Sequence, residues 1–126
     1  QALSIDVPED LTAIADPELL ARALANLLRN SMSYAKGEGP IEVIGRSRGD
    51  TVTLTVRDRG PGVPEDQIGH LFEPFYRVDA SRGRETGGVG LGLAIVKTCI
   101  QTCDGTVSAQ NVDPHGLSVQ IELKAT

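Results

Sequence analysis

The chain has 126 residues, of which 40% are hydrophobic, 3% aromatic and 23% charged, with a formal net charge of −5. These values indicate one globular domain with an aliphatic core, and the acidic balance argues against a nucleic-acid surface, which would be basic. No apolar run approaches the length of a membrane span, and Gln1 does not open a signal peptide. Because the chain begins with Gln1 rather than Met, we expect it to be a fragment of a longer protein.

The first third of the chain predicts two short strands followed by a long helix. Residues Ser4–Val7 and Leu11–Ala15 have the pattern of strands. Asp16 and Pro17 are typical of a helix N-cap and first turn, so we expect a helix to begin there and to end near Ala35. Its buried side is supplied by leucines at helical spacing: Leu20, Leu24, Leu27 and Leu28.

The middle of the chain predicts a hairpin, a short helix and a long loop. Ile41–Arg48 and Thr51–Asp58 alternate as strands do, around the tight turn Gly49-Asp50. A short helix should then reach about Leu71. Residues 73–89 have neither a helical nor a strand period, and we expect them to form a long mobile loop.

The last third predicts a helix and a second hairpin. The helix spans about Leu91 to Cys103 and ends before Gly105, which we expect to take the left-handed conformation of a helix cap. Strands at Thr106–Asn111 and Leu117–Leu123 then pair with each other. The predicted fold class is α/β (α+β), a two-layer sandwich with one mixed sheet of about five strands and three helices on one face.

Two asparagines on the first helix do not look like core-building residues. Asn26 and Asn30 lie one helical turn apart and are flanked by leucines. Asn is a poor helix former and is costly to bury unpaired, whereas amide oxygens suit a hard cation or phosphate-bound water. Taken alone, the pair is better explained by a surface face or by local hydrogen bonds.

Two glycine-rich segments could contact a ligand. Asp58 ends a strand and precedes Gly60 and Gly62, an arrangement that suits recognition of an amino group but is equally typical of a turn. The run Gly87–Gly92 precedes the third helix, where backbone amides and the helix dipole can hold phosphates. Because a charged loop precedes this run and no Gly-Lys-Ser/Thr occurs, it is neither the dinucleotide fingerprint nor a P-loop.

The order and spacing of these segments resemble the GHKL nucleotide-binding superfamily, and within it the catalytic ATP-binding (HATPase_c) domain of bacterial two-component sensor histidine kinases. Asn26–Asn30 resembles their N box, Asp58–Gly62 the G1 box, Phe72–Arg77 the F box and Gly88–Ala94 the G2 box. The resemblance extends over nearly the whole chain. It implies a Bergerat-type fold and a single domain over residues 1–126 that lacks the dimerisation and phosphoacceptor region.

On the phosphate side, the resemblance implies that Asn30 coordinates Mg²⁺, with Asn26 beside it towards the phosphates or their water. One amide oxygen suffices, because Mg²⁺ keeps several of its waters. Arg77 is the best candidate for contact with the terminal phosphate, and Arg82 or Arg84 could assist or be merely solvated. The expected catalytic residues are therefore Asn26, Asn30 and Arg77. Residues of the second glycine-rich segment would cradle the phosphates: Gly88, Gly90, Leu91 and Gly92.

On the base side, the resemblance implies that Asp58 accepts a hydrogen bond from the adenine amino group. Gly60 and Gly62 would let the base lie against the loop. Tyr34 would pack on the adenine, unless it is a core aromatic at the end of the helix. The aromatic residues of the F box are expected to anchor the lid to the domain body rather than to touch ATP: Phe72, Phe75 and Tyr76.

Two positions depart from the pattern of the family. Many members carry Lys or Arg three residues after the metal-binding Asn, where this chain has Ser33, and Lys36 or Arg29 could compensate. The closing hairpin often has Gly-Thr where this chain has Gly116-Leu117. Both departures bear on nucleotide affinity and not on the fold.

The resemblance implies a protein-histidine kinase domain, with ATP and Mg²⁺ as cofactors, that transfers the γ-phosphate to a histidine on a separate dimerisation/phosphoacceptor domain. A response regulator would be an indirect partner. His70 and His115 lie in no phosphoacceptor pattern, so the isolated domain should phosphorylate little. One alternative is a GHKL ATPase, although no carboxylate lies between Glu18 and Asn30 to activate water. Another is a nucleotide-binding switch or pseudokinase of the same fold.

The expected setting is cytoplasmic, without direct contact with nucleic acid or membrane. Cys99 and Cys103 lie four residues apart and could hold a metal, but they also continue an apolar helix stripe. Together with the lack of any sign of secretion, they indicate a reducing compartment. By family habit, the parent protein would be anchored in the inner membrane.

Overall fold

The sheet of the protein is mixed and five-stranded, in a computed structural model that describes residues 2–35, 37–76 and 92–126. Across the sheet the strands follow the order β1-β2-β3-β5-β4; β1 is parallel to β2, and the other neighbours are antiparallel. The strands are β1 (Leu3–Asp6), β2 (Ile41–Arg48), β3 (Thr51–Arg57), β4 (Thr106–Asn111) and β5 (Leu117–Lys124). The predicted fold class is confirmed.

Helix α1 (Pro17–Ala35) forms where the sequence predicts it. Asp16 caps it, because its Oδ1 accepts hydrogen bonds from the backbone N–H groups of Glu18 (2.9 Å) and Leu19 (3.2 Å). Of the predicted leucines, Leu27 is fully buried and the other three are partly buried against the core. The buried row of α1 is otherwise made of small residues: Ala23, Ser31 and Ala35.

Helix α2 is described from Gly92 to Thr102 and packs against α1. The prediction that Gly105 takes the left-handed conformation is wrong: Asp104 does, with φ +60°. The N–H of Asp104 bonds the carbonyl of Gln101 (3.0 Å) and that of Gly105 the carbonyl of Ile100 (2.9 Å), which is a Schellman motif one residue earlier than expected. A Cβ at Gly105 would lie 2.5 Å from the carbonyl oxygen of Glu122, so this glycine serves close packing on β5.

The segment Leu11–Ala15 is not the strand that its alternation predicts. It forms a single antiparallel bridge, Ala13 to Ala125, next to the end of β5. Beside this bridge, the N–H of Ile14 donates to the carbonyl of Lys124 (2.8 Å) and that of Thr126 to the carbonyl of Thr12 (3.5 Å). The short helix before Leu71 exists, but as a 3-10 helix over Glu65–His70.

In the described part of the chain, the core lies between the sheet and helices α1 and α2. Every second residue of β3 is buried, as expected for a strand with one covered face. From α2, the buried residues are Leu93, Val96, Cys99 and Ile100, and Cys103 is partly buried. Within the described ranges, no helix has both the length and the apolar character needed to cross a bilayer.

Candidate functional site

Asp58 is a buried carboxylate directly after β3, with 2% of its surface exposed. Its Oδ1 accepts hydrogen bonds from the backbone N–H of Gly60 (2.9 Å) and of Leu117 (3.2 Å). The pKa of Asp58 is raised, because burial disfavours the charged form more than these two bonds favour it. Both bonds use Oδ1, so Oδ2 is the atom of this carboxylate that can accept from a ligand.

The loop that carries this carboxylate, residues 58–63 (the Asp58 loop), abuts the last turn of α1. A Cβ at Gly60 would lie 2.7 Å from the carbonyl oxygen of Tyr34 and 3.0 Å from the Cα of Ala35. Gly62 has φ +77°, and its Cβ would lie 2.7 Å from Oδ1 of Asn111. Both glycines are thus required by packing within the protein itself, and their contact with adenine, like that of the half-buried Tyr34, stays a prediction.

The second group of predicted residues lies earlier in α1 than Tyr34. Asn26 and Asn30 are both half-buried. Nδ2 of Asn26 donates to the carbonyl of Arg22 (2.9 Å), and the guanidinium of Arg29 donates to Oδ1 of Asn26 (3.1 Å). Within the part of the chain that the structure describes, the side chain of Asn30 makes no hydrogen bond, so its amide oxygen can serve as a ligand.

The start of α2 lies beside this asparagine face, by which we mean Asn26 and Asn30 on α1. A Cβ at Gly92, the first residue of α2, would lie 3.9 Å from Oδ1 of Asn26. The first amides of a helix are unpaired within the helix and carry the positive end of its dipole. An amide oxygen and a helix N-terminus therefore meet at one place, which suits a phosphate with its cation.

Helix α1 connects the two groups. Asn26 and Tyr34 are eight residues apart in this helix, which corresponds to about 12 Å at the helical rise. That is the scale of a nucleoside triphosphate. The structure thus places the buried carboxylate beside the last turn of α1 and the asparagine face about one to two turns earlier in the same helix.

Two residues that tie down the Asp58 loop were missed by the sequence analysis as parts of the site. Nδ1 of His115 contacts the carbonyl oxygens of Arg59 (2.8 Å) and Gly60 (3.1 Å). The side-chain amide of Asn111 bonds both backbone groups of Val63: Oδ1 accepts from its N–H (2.8 Å) and Nδ2 donates to its carbonyl (2.6 Å). These contacts join residues about fifty positions apart in the chain, and no local pattern signals them.

The other flank of the loop is held by an ion-pair network. Glu42 on β2 makes a two-pronged pair with Arg57 (3.1 and 3.0 Å) and also accepts from Arg59 (3.3 Å). The hydrogen bond from Arg57 is the largest cause that lowers the pKa of Glu42. Arg59, the second residue of the predicted G1 box, is thus bound to the sheet rather than directed at a ligand.

The F-box aromatics divide into two kinds. Tyr76 donates from its hydroxyl to Oε1 of Gln67 (2.9 Å) and packs on the ring of His70 at 5.3 Å, and Phe72 is partly buried against the core. These two residues do anchor the segment, as expected. Phe75 does not: its side chain is 71% exposed, and its backbone has φ +65°.

Several predicted residues fall outside the described ranges. They are Arg77, Gly88, Gly90 and Leu91, together with Lys36, Arg82 and Arg84. Among the described residues, an open polar cleft of about 390 Å³ lies between Pro61, Glu65 and the β4–β5 connection. It contains none of the predicted nucleotide-binding residues.

Comparison with known proteins decides the family. A sequence profile described as histidine kinase-, DNA gyrase B-, and HSP90-like ATPase matches residues 15–126. The chain belongs to this family. It is similar to the signal transduction histidine-protein kinase BaeS of Escherichia coli, with 38% identity over 121 residues, which cover 96% of this chain and 26% of BaeS.

Solved histidine kinase structures share the fold. The mycobacterial sensor histidine kinase MprB superposes with a TM-score of 0.84 at 27% identity, over 98% of this chain and 83% of that one. Full-length ShkA, in complex with AMPPNP, matches with a TM-score of 0.78 at 30% identity, over 99% of this chain and 25% of ShkA. The predicted family and the predicted fold are therefore both confirmed, and the chain spans about a quarter of the length of BaeS and of ShkA.

Proposed function

We propose that this domain binds Mg-ATP along α1 and transfers the γ-phosphate to a histidine on a separate dimerisation/phosphoacceptor domain. One observation carries the proposal. A buried carboxylate lies next to the last turn of α1, and the first described residues of α2 lie next to Asn26, about two turns earlier in the same helix. The family membership of residues 15–126 and the complex of ShkA with AMPPNP support an adenine nucleotide as the ligand.

The base would be recognised by Asp58. Its Oδ1 is engaged by the backbone of Gly60 and Leu117, which fixes the carboxylate plane. Oδ2 can then accept from the exocyclic amino group of adenine, whereas guanine offers a carbonyl oxygen at that position and would be repelled. A buried acceptor that loses its donor is costly, so this contact can select strongly between bases.

The phosphates and their cation would lie at the asparagine face. The amide oxygen of Asn30 fits Mg²⁺, because it is a hard oxygen ligand and makes no hydrogen bond to the residues that the structure describes. The cation supplies charge neutralisation at the phosphates. Asn26 would orient phosphate oxygens or their water opposite the first amides of α2.

The transfer itself would need little from this domain beyond placement. An imidazole nitrogen attacks the γ-phosphorus in line, the bond from that phosphorus to the bridging oxygen breaks, and ADP leaves. Holding the reactants in this geometry and stabilising the charge accounts for most catalysis of phosphoryl transfer. The imidazole would come from the parent kinase, which is why the domain alone is expected to consume little ATP.

The setting that we propose is the cytoplasmic side of a membrane-anchored sensor kinase, with a response regulator downstream. The sensor kinases to which the chain is similar support this setting. The single-domain boundary over residues 1–126 is part of the same proposal, since the family profile covers residues 15–126.

The base contact is tested by the Asp58→Asn variant. The new amide keeps an oxygen for Gly60 and Leu117 but turns an NH₂ group towards the adenine amino group. We expect calorimetric titration to show Mg-ATP affinity reduced at least about tenfold, with Asp50→Asn in the exposed β2–β3 turn as the matched control. Unchanged affinity in Asp58→Asn would remove the adenine assignment.

The transfer reaction is tested by supplying the acceptor separately. Incubated with labelled ATP, the domain should form phosphoprotein only when a dimerisation/phosphoacceptor domain is added. Steady release of inorganic phosphate by the domain alone would instead favour the GHKL ATPase alternative. Binding without either reaction would favour the pseudokinase.

A further inference from the structure

The β4–β5 hairpin holds the backbone of the Asp58 loop through two side chains, one from the end of β4 and one from the connection that follows. His115 bonds the loop near its start, at Arg59 and Gly60, and Asn111 bonds it near its end, at Val63. The backbone N–H of Asp58 also donates to the carbonyl of Leu117 (3.0 Å). The hairpin therefore fixes the loop along its length.

The hydrogen on His115 can be placed from its partners. Both atoms in contact with Nδ1 are carbonyl oxygens, which can only accept. Nδ1 must therefore carry the hydrogen and share it between the two carbonyls. The residue acts here as a donor, and this role does not require the ring to be charged.

The amide of Asn111 is oriented just as clearly. It pairs with the N–H and the carbonyl of the same residue, Val63, and Nδ2 also reaches Oε1 of Glu65 (3.0 Å). Exchanging the amide oxygen and nitrogen would set donor against donor and acceptor against acceptor. Gly62 fits beneath this amide only because it has no Cβ.

These contacts lie next to the bond that orients the carboxylate. The N–H of Gly60 donates to Oδ1 of Asp58, and the carbonyl of Gly60 accepts from His115. Without His115, the two peptide groups that flank Gly60 lose the hydrogen bonds that fix their orientation. The N–H of Gly60 can then rotate away from Oδ1 of Asp58. Asp58 would then be free to change its rotamer.

We infer that His115 and Asn111 are positioning residues that fix the Asp58 loop and thereby set the preference for adenine. This inference rests on the proposed nucleotide-binding function. Neither side chain is expected to touch the nucleotide. Both act through the backbone that presents the Asp58 carboxylate.

Histidine 115 is tested with three substitutions that differ in where they place a donor. His115→Ala removes the donor, His115→Asn keeps an N–H near the position of Nδ1, and His115→Gln moves it to the position of Nε2. We expect Kd for Mg-ATP to rise about tenfold in His115→Ala and His115→Gln and to stay within about twofold of wild type in His115→Asn. Asn111→Ala should resemble His115→Ala, and the exposed neighbour Gln110→Ala is the control.

Ligands without adenine separate positioning from general stability. Magnesium tripolyphosphate should bind wild type and His115→Ala equally, and the preference for ATP over GTP should narrow in the variant. A variant that merely loosens the fold would weaken the binding of tripolyphosphate, ATP and GTP to the same extent. If His115→Ala does not fold, His115→Gln carries the same expectation.

Three results would overturn the inference. The first is wild-type affinity for Mg-ATP in His115→Ala, and the second is an equal loss for ATP and tripolyphosphate. Both leave the proposed function intact, because wild type still binds Mg-ATP. The third is failure of wild type itself to bind Mg-ATP, which removes the proposed function and this inference together.

Discussion

The two ends of the proposed site differ in how firmly the protein holds them. The Asp58 loop is bonded by side chains from β2 and from the β4–β5 hairpin, and Gly60 and Gly62 are packed against neighbouring residues. Among the described residues, the side-chain hydrogen bonds of the asparagine face stay within α1. Under the proposed function, this difference predicts that base recognition is built into the folded domain, whereas the phosphate side of the site is completed by the ligand and its cation.

The largest loss of stability should come from substituting a glycine that packs against the Asp58 loop. Gly116 has φ +129°, and a Cβ there would lie 2.2 Å from the carbonyl oxygen of Asp58. Gly116→Ala must therefore move the loop, and we expect the free energy of unfolding to fall by about 3 kcal/mol. Urea denaturation measures this loss.

A second glycine separates the cost of a Cβ clash from the cost of a positive φ. Gly49 also has a positive φ (+63°), but nothing lies within 4 Å of the Cβ position. Gly49→Ala should therefore cost only about 1 kcal/mol, the penalty of the left-handed conformation. Equal losses in the two variants would show that the loop is less tightly packed than the structure indicates.

At the asparagine face, Asn30→Ala should weaken the binding of Mg-ATP without destabilising the fold. Its side chain is half-buried and makes no hydrogen bond to the described residues, so Mg-ATP affinity should fall at least about tenfold. Stability should stay the same or rise by up to about 0.7 kcal/mol, because Ala is the better helix former. Titration and thermal unfolding measure the two effects.

The cation provides the control for Asn30. In excess chelator, wild type and Asn30→Ala should bind ATP with equal, weaker affinity. Met32→Ala on the same helix, at a 49% exposed position, should bind Mg-ATP as wild type does. A difference between wild type and Asn30→Ala that persists without magnesium would contradict the metal-ligand role.

The contrast between the two ends also explains which parts of the protein its sequence could predict. The asparagine face and the cap at Asp16 follow from spacing within one helix, and the β2–β3 hairpin follows from local alternation and its turn. Gly60 was noticed as a ligand-loop glycine, but its packing on Tyr34 depends on how α1 meets the sheet. The local sequence pattern identifies the helix, strand or loop in which a residue lies. Which distant residues pack against it is decided by the tertiary structure.

The errors have the same origin. Leu11–Ala15 has the alternation of a strand, yet it pairs with the sheet only through the bridge from Ala13 to Ala125, a contact between distant parts of the chain. Phe75 carries an aromatic side chain that sequence alone would bury, yet it is 71% exposed. His115 was missed as part of the site, because its partners lie 55 and 56 residues earlier in the chain.

The pH dependence of stability should show the burial of Asp58. Because its pKa in the folded domain is raised above the ordinary 3.8, the folded state holds the proton more tightly than the unfolded state. Its contribution to the free energy of unfolding therefore falls as pH rises from 3.8 through the raised pKa, and then levels off. Relative to Asp58→Asn, wild type should lose stability over this window, as urea unfolding at stepped pH would show.

The pH dependence due to Glu42 should run in the opposite direction to that of Asp58, so this carboxylate serves as the comparison. Its pKa is lowered below 4.5, chiefly by the hydrogen bond from Arg57, so its contribution is present above that pH and is lost as pH falls. Relative to Glu42→Gln, wild type should thus be more stable near neutrality, with the gap closing in acid. Parallel pH profiles for the two carboxylates would contradict the burial argument for Asp58.

The smallest effect should be a gain in Mg-ATP affinity from a cation added near the asparagine face. Ser33 lies three residues after Asn30 on α1 and is half-buried. It stands where the family resemblance leads us to expect a cation. Arg29 already brings a guanidinium to Asn26, so part of the missing charge is supplied one turn earlier. Ser33→Lys should tighten Mg-ATP binding about threefold, the scale of an exposed charge pair, and the gain should shrink in high salt, whereas the uncharged Ser33→Gln should give none. If Ser33→Lys gains nothing and Arg29→Ala loses nothing, charge on this face of α1 does not contribute to binding, and the helix N-terminus and the cation must hold the phosphates without it.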